Sequence, residues 1–279
     1  MTATIVGIGL IGGSFALALK DKGIAKKVIG VDASEEHCQK ALSLGLVDEI
    51  QNLENSIAES DLVVLATPVN ALKELLPAVL TKVDKQVVID VGSTKHSILE
   101  AVKHHPKRKR FVATHPMWGT EYSGPEAAVH GAFADKATVI CDKEDSDPDA
   151  VQLVENIYRK MGMHLMYMNG DDHDVHVAYV SHISHITSFA LANTVLEKER
   201  EENAIFELAS GGFESTVRLA KSNPLTWASI FMQNRENVLD VLNEHISQLR
   251  KFKACLEKEN LEYLEELMVN ANKIKKIIK

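Results

Sequence analysis

A doubly wound parallel α/β sheet followed by an all-helical domain is the fold class that the 279-residue sequence predicts. Three observations predict it. Apolar runs of strand length alternate with helical patterns as far as Met168, strand signals stop after Asp171, and apolar residues thereafter recur at spacings of three and four.

The first run, Thr4-Ile5-Val6, leads into Gly7-Ile8-Gly9-Leu10-Ile11-Gly12-Gly13-Ser14, and a helical pattern through Phe15, Leu17, Ala18 and Leu19 follows. This is the strand-turn-helix context of a Rossmann-type dinucleotide turn. Gly7 permits the tight turn, Gly9 lets the backbone approach a pyrophosphate, and Gly12 lets helix and strand pack closely, so that the helix start at Leu10 and Ile11 faces the phosphates. The second run, Lys27-Val28-Ile29-Gly30-Val31-Asp32, ends on an acid at the spacing that binds a ribose 2′-hydroxyl. Ala33-Ser34-Glu35-Glu36 offers no Arg for a 2′-phosphate, so NAD is expected over NADP. An apolar glycine turn and a surface Asp are the bland alternatives, and each explains only one of the two features.

Helical Glu35 to Leu44, a short Val47 to Ile50 strand and a polar helix near Asn52 to Ser60 precede the strand Leu62 to Ala66. Its continuous apolar character belongs to a strand covered on both faces. Thr67-Pro68 ends it at the carboxyl edge, where open α/β sheets bind ligands. A helix from Asn70 to Leu80, the strand Gln86 to Asp90, a helix near His96 to His105 and the strand Phe111 to Thr114 continue the alternation, and the strands Ala137 to Cys141 and His164 to Met168 flank a helix from Pro148 to Met161. Helices are then expected over Asp174 to Arg200, Ala204 to Ala209, Thr216 to Lys221, Leu225 to Phe252 and Leu256 to Ile278. The last two carry apolar stripes, Val238, Leu242, Ile246, Leu249 and Leu256, then Leu261, Leu264, Met268, Ala271, Ile274 and Ile278. Asn169-Gly170 marks the boundary between a dinucleotide-binding domain, 1–168, and a helical substrate-binding and dimerisation domain, 169–279. A homodimer through the helical domain is the economical use of the stripes, with packing inside one chain as the alternative.

Composition narrows the function. A net charge of −8 argues against a nucleic-acid or anionic-membrane partner, and Lys103 to Arg110 reads as a solvated helix end. Cys38, Cys141 and Cys255 have neither disulfide nor metal spacing, which makes a reducing, cytoplasmic setting the expectation. Residues 5–19 imitate a signal-peptide core but lack a basic leader. The uncharged run Val177 to Leu196 has the length of a membrane span, yet its His, Ser, Thr and Asn residues favour a buried helix.

Chemistry is expected where Gly92-Ser93-Thr94-Lys95 and Thr114-His115-Pro116 leave the carboxyl edge of the sheet. A neutral imidazole suits removal of a hydroxyl proton while a hydride leaves for a nicotinamide, which makes His115 the candidate base and Ser93 a second contact to the same hydroxyl. A structural His beside Pro116 and an N-cap Ser are the alternatives. Arg218, in an apolar helix, needs an anion. A substrate carboxylate fits the planar guanidinium, although pattern alone favours one of the many Glu. His173 and His176, then His182 and His185, share faces at i and i+3, but the first pair lies in a polar, Asp-rich helix start and no Cys or carboxylate recurs with ligand spacing around the second, so no metal is expected.

These elements together resemble the prephenate dehydrogenase family of tyrosine biosynthesis, which includes arogenate and dual-specificity cyclohexadienyl dehydrogenases. The resemblance runs in order through Gly7 to Ser14, Gly92 to Lys95, His115-Pro116-Met117-Trp118-Gly119-Thr120-Glu121, Ser181-His182-Ile183-Ser184-His185 and Arg218 to Trp227. It implies an NAD-dependent oxidative decarboxylation of prephenate to 4-hydroxyphenylpyruvate, with arogenate or dual-specificity turnover as the alternative. By resemblance His115 takes the ring 4-hydroxyl proton, supported by Ser93, Arg218 holds the ring carboxylate, and His185 lies at the side-chain end. Thr120 and Glu121 border the entrance, Trp227 packs under Arg218, and Thr67 and Pro68 touch the nicotinamide side of NAD.

Two residues depart from the family pattern. Trp118 stands where a small residue is usual, which puts the pocket mouth in question, and no Asp lies three residues before Arg218, which puts its ionic network in question. No fused chorismate mutase segment or regulatory module is expected, which leaves tyrosine competing at the active site as the open route for feedback. A β-hydroxyacid-type dehydrogenase would need a Lys on the run Val177 to Leu196, which has none. An NAD-binding regulator without turnover would need the glycine turn but not His115, Ser93 and Arg218.

Overall fold

Eight strands form one sheet in the order β3-β2-β1-β4-β5-β6-β7-β8 in the computed structural model, which describes residues 1–202 and 205–277. The first half alternates as expected: β1 (Thr2–Val6), α1 (Leu10–Asp21), β2 (Lys27–Val31), α2 (Glu35–Ser43), β3 (Glu49–Ile50), α3 (Leu53–Glu59), β4 (Leu62–Leu65), α4 (Val69–Lys82), β5 (Val87–Asp90), α5 (His96–Val102) and β6 (Phe111–Pro116). Side-chain caps set two helix starts, Ser34 Oγ accepting from the His37 N–H at 3.3 Å and Asn52 Oδ1 from the Asn55 N–H at 2.9 Å. Neighbouring residues of one strand enter opposite cores. Val64, Ile89 and Val112 pack with Phe15 and Tyr158, while Val63, Val88 and Phe111 pack with Leu72, Leu76 and Ile98. Both faces are therefore covered, which is why the strands read as unbroken apolar runs.

β1 through β6 are parallel, but β7 (Ala137–Cys141) runs antiparallel to β6, and β8 (His164–Met168) is parallel to β7 across α6 (Pro148–Lys160). The doubly wound sheet is as expected apart from this one join, where β7 turns back against β6. A parallel neighbour needs a crossover, usually a helix. The segment between Pro116 and Ala137 forms only the one-turn 3-10 helix Pro125–Ala127, so the chain re-enters the sheet from the end it left.

The chain divides into two compact units, 1–234 and 235–279. In the first, the long helix expected from Asp174 comprises α7 (Gly170–Val177), a π turn (Ala178–His182) and α8 (Ile183–Glu202). The expected helix from Ala204 to Ala209 is a single 3-10 turn, Phe206–Leu208, with Ala204 outside the described residues. α9 (Gly211–Val217) passes into the 3-10 turn Arg218–Lys221, and α10 (Pro224–Gln233) follows. The run expected to be helical from Leu225 to Phe252 breaks at Asn234. Its backbone leaves helical geometry at φ −106°, ψ 31°, and its Nδ2 donates to the Asp174 carbonyl at 2.7 Å.

The second unit holds α11 (Arg235–Glu257) and α12 (Leu261–Ala271), which pack on each other. Glu259 takes a left-handed φ of 51° at the turn, and Asn260 caps α12 by accepting from the Tyr263 N–H at 3.0 Å. The helix expected over Leu256 to Ile278 is therefore cut at both ends; a 3-10 turn, Asn272–Lys276, follows α12, and Ile278 lies outside the described residues. Leu249, Leu256, Leu261, Met268 and Ile274 of the stripes are exposed. Among the described residues no helix is long and apolar enough to cross a membrane.

Candidate active site

The carboxyl edge of the sheet opens into a cleft of about 960 Å³, lying where β1 stands between β2 and β4 and the strand order reverses. Gly7 and Gly9 form its floor. Gly7 has φ +92°, and a Cβ there would stand 2.7 Å from the Ala66 carbonyl oxygen; a Cβ on Gly12 would stand 1.9 Å from the carbonyl oxygen of Gly7 itself. Gly12 does not line the cleft, because its work is the contact that closes the turn. A Cβ on Gly9, by contrast, would meet no atom within 4 Å, so the backbone there is bare toward the cleft. The start of α1 has no side-chain cap and no acid in its first turn. It presents free N–H groups at Leu10 and Ile11 to an anion.

Asp32 sits at the end of β2, where its carboxylate accepts from the Ile8 N–H at 2.8 Å and the Ser34 N–H at 2.9 Å. The acid thus braces the glycine turn that it flanks. Thr67 and Pro68 line the opposite wall, and Thr67 Oγ1 is buried there without a hydrogen-bond partner. A bare turn, an uncapped helix start, an acid at ribose distance along the chain and an unsatisfied hydroxyl are what a dinucleotide requires.

The chemical end of the cleft is built from two sheet loops and the helical run. Ser93 and His115 line it together. His115 Nδ1 lies 2.8 Å from His173 Nε2, and His173 Nδ1 lies 2.8 Å from Asp174 Oδ1. Burial pushes the His115 imidazole well below its ordinary pKa, helped by the neighbouring His173 and the cationic Lys95. Burial also lowers His173, against the opposing pull of Asp174. For Asp174 burial acts upward, but hydrogen bonds from His173 and from the His96 and Lys95 N–H groups bring it below the usual carboxylate range. Behind this chain, Lys95 and Asp90 form a fully buried ion pair, with Lys95 Nζ also donating to the Gly92 carbonyl at 2.8 Å.

Across the cleft Arg218 Nη1 donates to Glu121 Oε2 at 2.8 Å. A bond from its own N–H holds the Glu121 carboxyl below its ordinary range, with Arg218 adding to the effect against partial burial. The Trp227 ring stacks on His185, centroids 3.3 Å apart, and His185 Nδ1 donates to the Ser181 carbonyl at 3.1 Å. That leaves the other ring nitrogen of His185 without a proton when the ring is neutral.

The chain matches two family models in succession: prephenate dehydrogenase, nucleotide-binding domain, over residues 15–167, and prephenate dehydrogenase, dimerization domain, over residues 169–270. It belongs to the prephenate dehydrogenase family. It is 32% identical over 267 residues to prephenate dehydrogenase of Bacillus subtilis, covering 94% of this chain and 72% of that protein. It is 28% identical to cyclohexadienyl dehydrogenase of Zymomonas mobilis, covering 99% and 95%. A crystal structure of prephenate dehydrogenase from Aquifex aeolicus, in complex with hydroxyphenyl propionate and NAD+, superposes with a TM-score of 0.91 at 30% identity, covering 100% of this chain and 98% of that one. The chain is thereby one of the NAD-dependent oxidoreductases.

Within this prephenate dehydrogenase fold, Gly7, Gly9, Leu10, Ile11, Asp32, Thr67, Pro68, Ser93, His115, Thr120, Glu121, His185, Arg218 and Trp227 all line one cleft. The ring of Trp227 lies against His185. Of the two departures from the family pattern, Trp118 lines the cleft with its ring edge-on to Phe133 at 5.6 Å, so its bulk is partly absorbed by the core. Ser215, in the place of the usual Asp, turns its hydroxyl to the Gly212 carbonyl, and Glu121 supplies the partner of Arg218. Sequence reasoning missed His173 and Asp174 as site residues. The adjacent His-Asp pair is the only local signal they carry, and it points to no partner.

Proposed function

We propose that the chain catalyses the NAD-dependent oxidative decarboxylation of prephenate to 4-hydroxyphenylpyruvate, a step in tyrosine biosynthesis. The observation that carries this reading is one cleft holding at one wall a half-buried imidazole kept well below its ordinary pKa and at the other the guanidinium of Arg218 paired with Glu121, beside a dinucleotide turn. The N–H groups at the start of α1 would hold the pyrophosphate, Asp32 the adenosine ribose, and Thr67 and Pro68 the nicotinamide end. Bound there, NAD supplies the hydride acceptor.

His115 takes the proton of the ring 4-hydroxyl while Ser93 orients that hydroxyl. Arg218 exchanges Glu121 for the ring carboxylate, and His185 lies toward the side-chain end, with Thr120 and Glu121 at the entrance and Trp227 fixing His185 by stacking. Once the carbinol carbon has become a ketone, the bond to the carboxylate breaks, its electron pair passes through the ring to the ketone oxygen, which regains the proton held by His115, and carbon dioxide leaves as the ring turns aromatic. The residues need only to orient the substrate, accept and return one proton and hold the departing carboxylate until that moment. Turnover of arogenate, alone or alongside prephenate, is the second reading, favoured by the likeness to the cyclohexadienyl dehydrogenase.

A cytoplasmic homodimer through the helical domain, residues 169–279, completes the proposal. The match to the family's dimerization domain and the exposed Leu249, Leu256, Leu261 and Met268 support the dimer, and the three buried free thiols suit a reducing compartment. The deciding experiment follows NADH formation by the purified chain with prephenate and with arogenate, alongside light scattering for mass. NADH with neither substrate would sink the reaction, and a monomer at every concentration would remove the dimer.

A further inference from the structure

We propose that His173 and Asp174 are positioning residues which fix His115 in the tautomer carrying its proton on Nδ1, so that Nε2 offers a lone pair to the substrate hydroxyl. The proposal rests on the reading of His115 as the base.

The direction of each bond in the chain follows from its buried end. Asp174 Oδ1 accepts from the Lys95 N–H at 2.8 Å, and Oδ2 accepts from the His96 N–H at 3.0 Å. An ionised carboxylate has no proton to give, so the 2.8 Å contact with His173 Nδ1 requires that nitrogen to donate. A neutral imidazole with its proton on Nδ1 has only an acceptor left on Nε2. That acceptor lies 2.8 Å from His115 Nδ1, which must therefore be the protonated nitrogen of His115.

A cationic His173 would reverse the logic, because both its nitrogens would then donate. Burial opposes that state and outweighs the opposing pull of Asp174 and Asp90, with the nearby Lys95 adding to the opposition. The rings of His115 and His173 meet edge-on, 5.0 Å between centroids at 67°, a geometry that directs a nitrogen of one ring at a nitrogen of the other.

Asp174 has a second task. The residue at the N-cap position of α5, Lys95, has no capping side chain, and Asp174 replaces it from another helix through the two N–H groups just described. One carboxylate thus orders the turn that carries Ser93 and, through His173, the ring of His115. When His115 takes a proton on Nε2, the Nδ1–H already points along the chain toward Asp174, so the new cation forms without rearrangement.

The test is long-range proton–nitrogen correlation spectroscopy on the chain labelled with 15N-histidine, with His115 assigned by its disappearance in His115→Asn, together with steady-state kinetics. The expected result is an Nδ1–H tautomer for His115 in the unmodified chain. His173→Leu should release this preference and lower kcat by at least about tenfold while leaving KM within about threefold, because the loss falls on the transition state. His173→Gln should restore most of the rate, since its amide oxygen can accept from Nδ1–H. A His115 protonated on Nε2 in the unmodified chain overturns the proposal even if His173→Leu does not fold, and so does a His173→Leu chain with unchanged tautomer and rate. Absence of dehydrogenase activity alongside the expected tautomer would instead refute the functional reading and leave the positioning chain standing.

Discussion

Arg218 and Glu121 are 97 residues apart in the chain and 2.8 Å apart across the cleft. The guanidinium side chain is 50% exposed, whereas the carboxylate is 13% exposed. An ion pair open to water on one side contributes only about 0–1 kcal/mol, so it exchanges readily for a ligand carboxylate. Glu121 holds the guanidinium in place and competes for it.

Arg218→Ala should raise KM for the substrate by about ten- to a hundredfold, the loss of a charge-assisted hydrogen bond, with a smaller change in kcat. Glu121→Gln should lower KM, because the competitor is gone while the shape remains. Steady-state kinetics on both variants check the pair; an unchanged KM in Arg218→Ala would show that Arg218 serves Glu121 alone.

The rate profile should keep its base to low pH. Since His115 has its pKa lowered well below the ordinary value of 6.5, kcat/KM should stay level as pH falls through 6.5 and decline only at more acid pH. His115→Asn should lower kcat by about 10²–10⁴-fold with little change in KM. An acid limb centred at or above 6.5 would contradict an imidazole held well below its ordinary pKa.

Folding should be acid-sensitive in the same range. His115, His173 and His182 have folded pKa values depressed below the unfolded value, so the unfolded chain binds more protons and stability is full above pH 6.5 and lost as pH falls. His182 alone, at about 4 in the folded chain, should remove about 2 kcal/mol by pH 5. Urea midpoints at about pH 7.5 and pH 5 measure it. His182→Gln should flatten the difference, and equal midpoints in the unmodified chain would reject it.

Two glycines of one turn should fail differently. Gly9→Ala meets no atom within 4 Å, so it should fold with an unchanged melting temperature yet weaken NAD binding by at least about tenfold, the methyl occupying pyrophosphate space. Gly12→Ala would press on the Gly7 carbonyl at 1.9 Å and should cost roughly 2 kcal/mol or more of stability before any cofactor is added. Thermal melts with and without NAD separate the two.

The cofactor half of the site was legible because its signals are local. A glycine that must take φ +92° and one whose Cβ would strike the preceding turn are written at fixed spacing, and Asp32 is written at the end of the next strand. His115 and Ser93 were legible for a related reason, since loops at the carboxyl edge of successive parallel strands gather in one place. The partners of these residues were not. His173 reaches His115 across 58 residues, and Asn234 breaks a helix in order to bond Asp174 across 60. Both are set by tertiary packing, which leaves no period or cap in the chain. The π turn at Ala178–His182 is equally silent, because its residues have the same apolar pattern as the helix around it.

The reversal of β7 has a consequence for how such a site can change. Pro116 lies opposite Thr138, and the Met117 N–H donates to the Ala137 carbonyl at 2.8 Å, so residues 117–136 depart from and rejoin the sheet at a single point beside the cleft. A segment tethered at both ends in one place can lengthen, shorten or be exchanged whole without rethreading any strand. Its later part is fixed to the dinucleotide half, Phe133 packing on Phe15 and the Val129 N–H donating to Ser14 Oγ at 3.0 Å, so the exchangeable part of this wall is the stretch carrying Thr120, Glu121 and Tyr122, where a new substrate range could be grafted onto an unchanged dinucleotide floor.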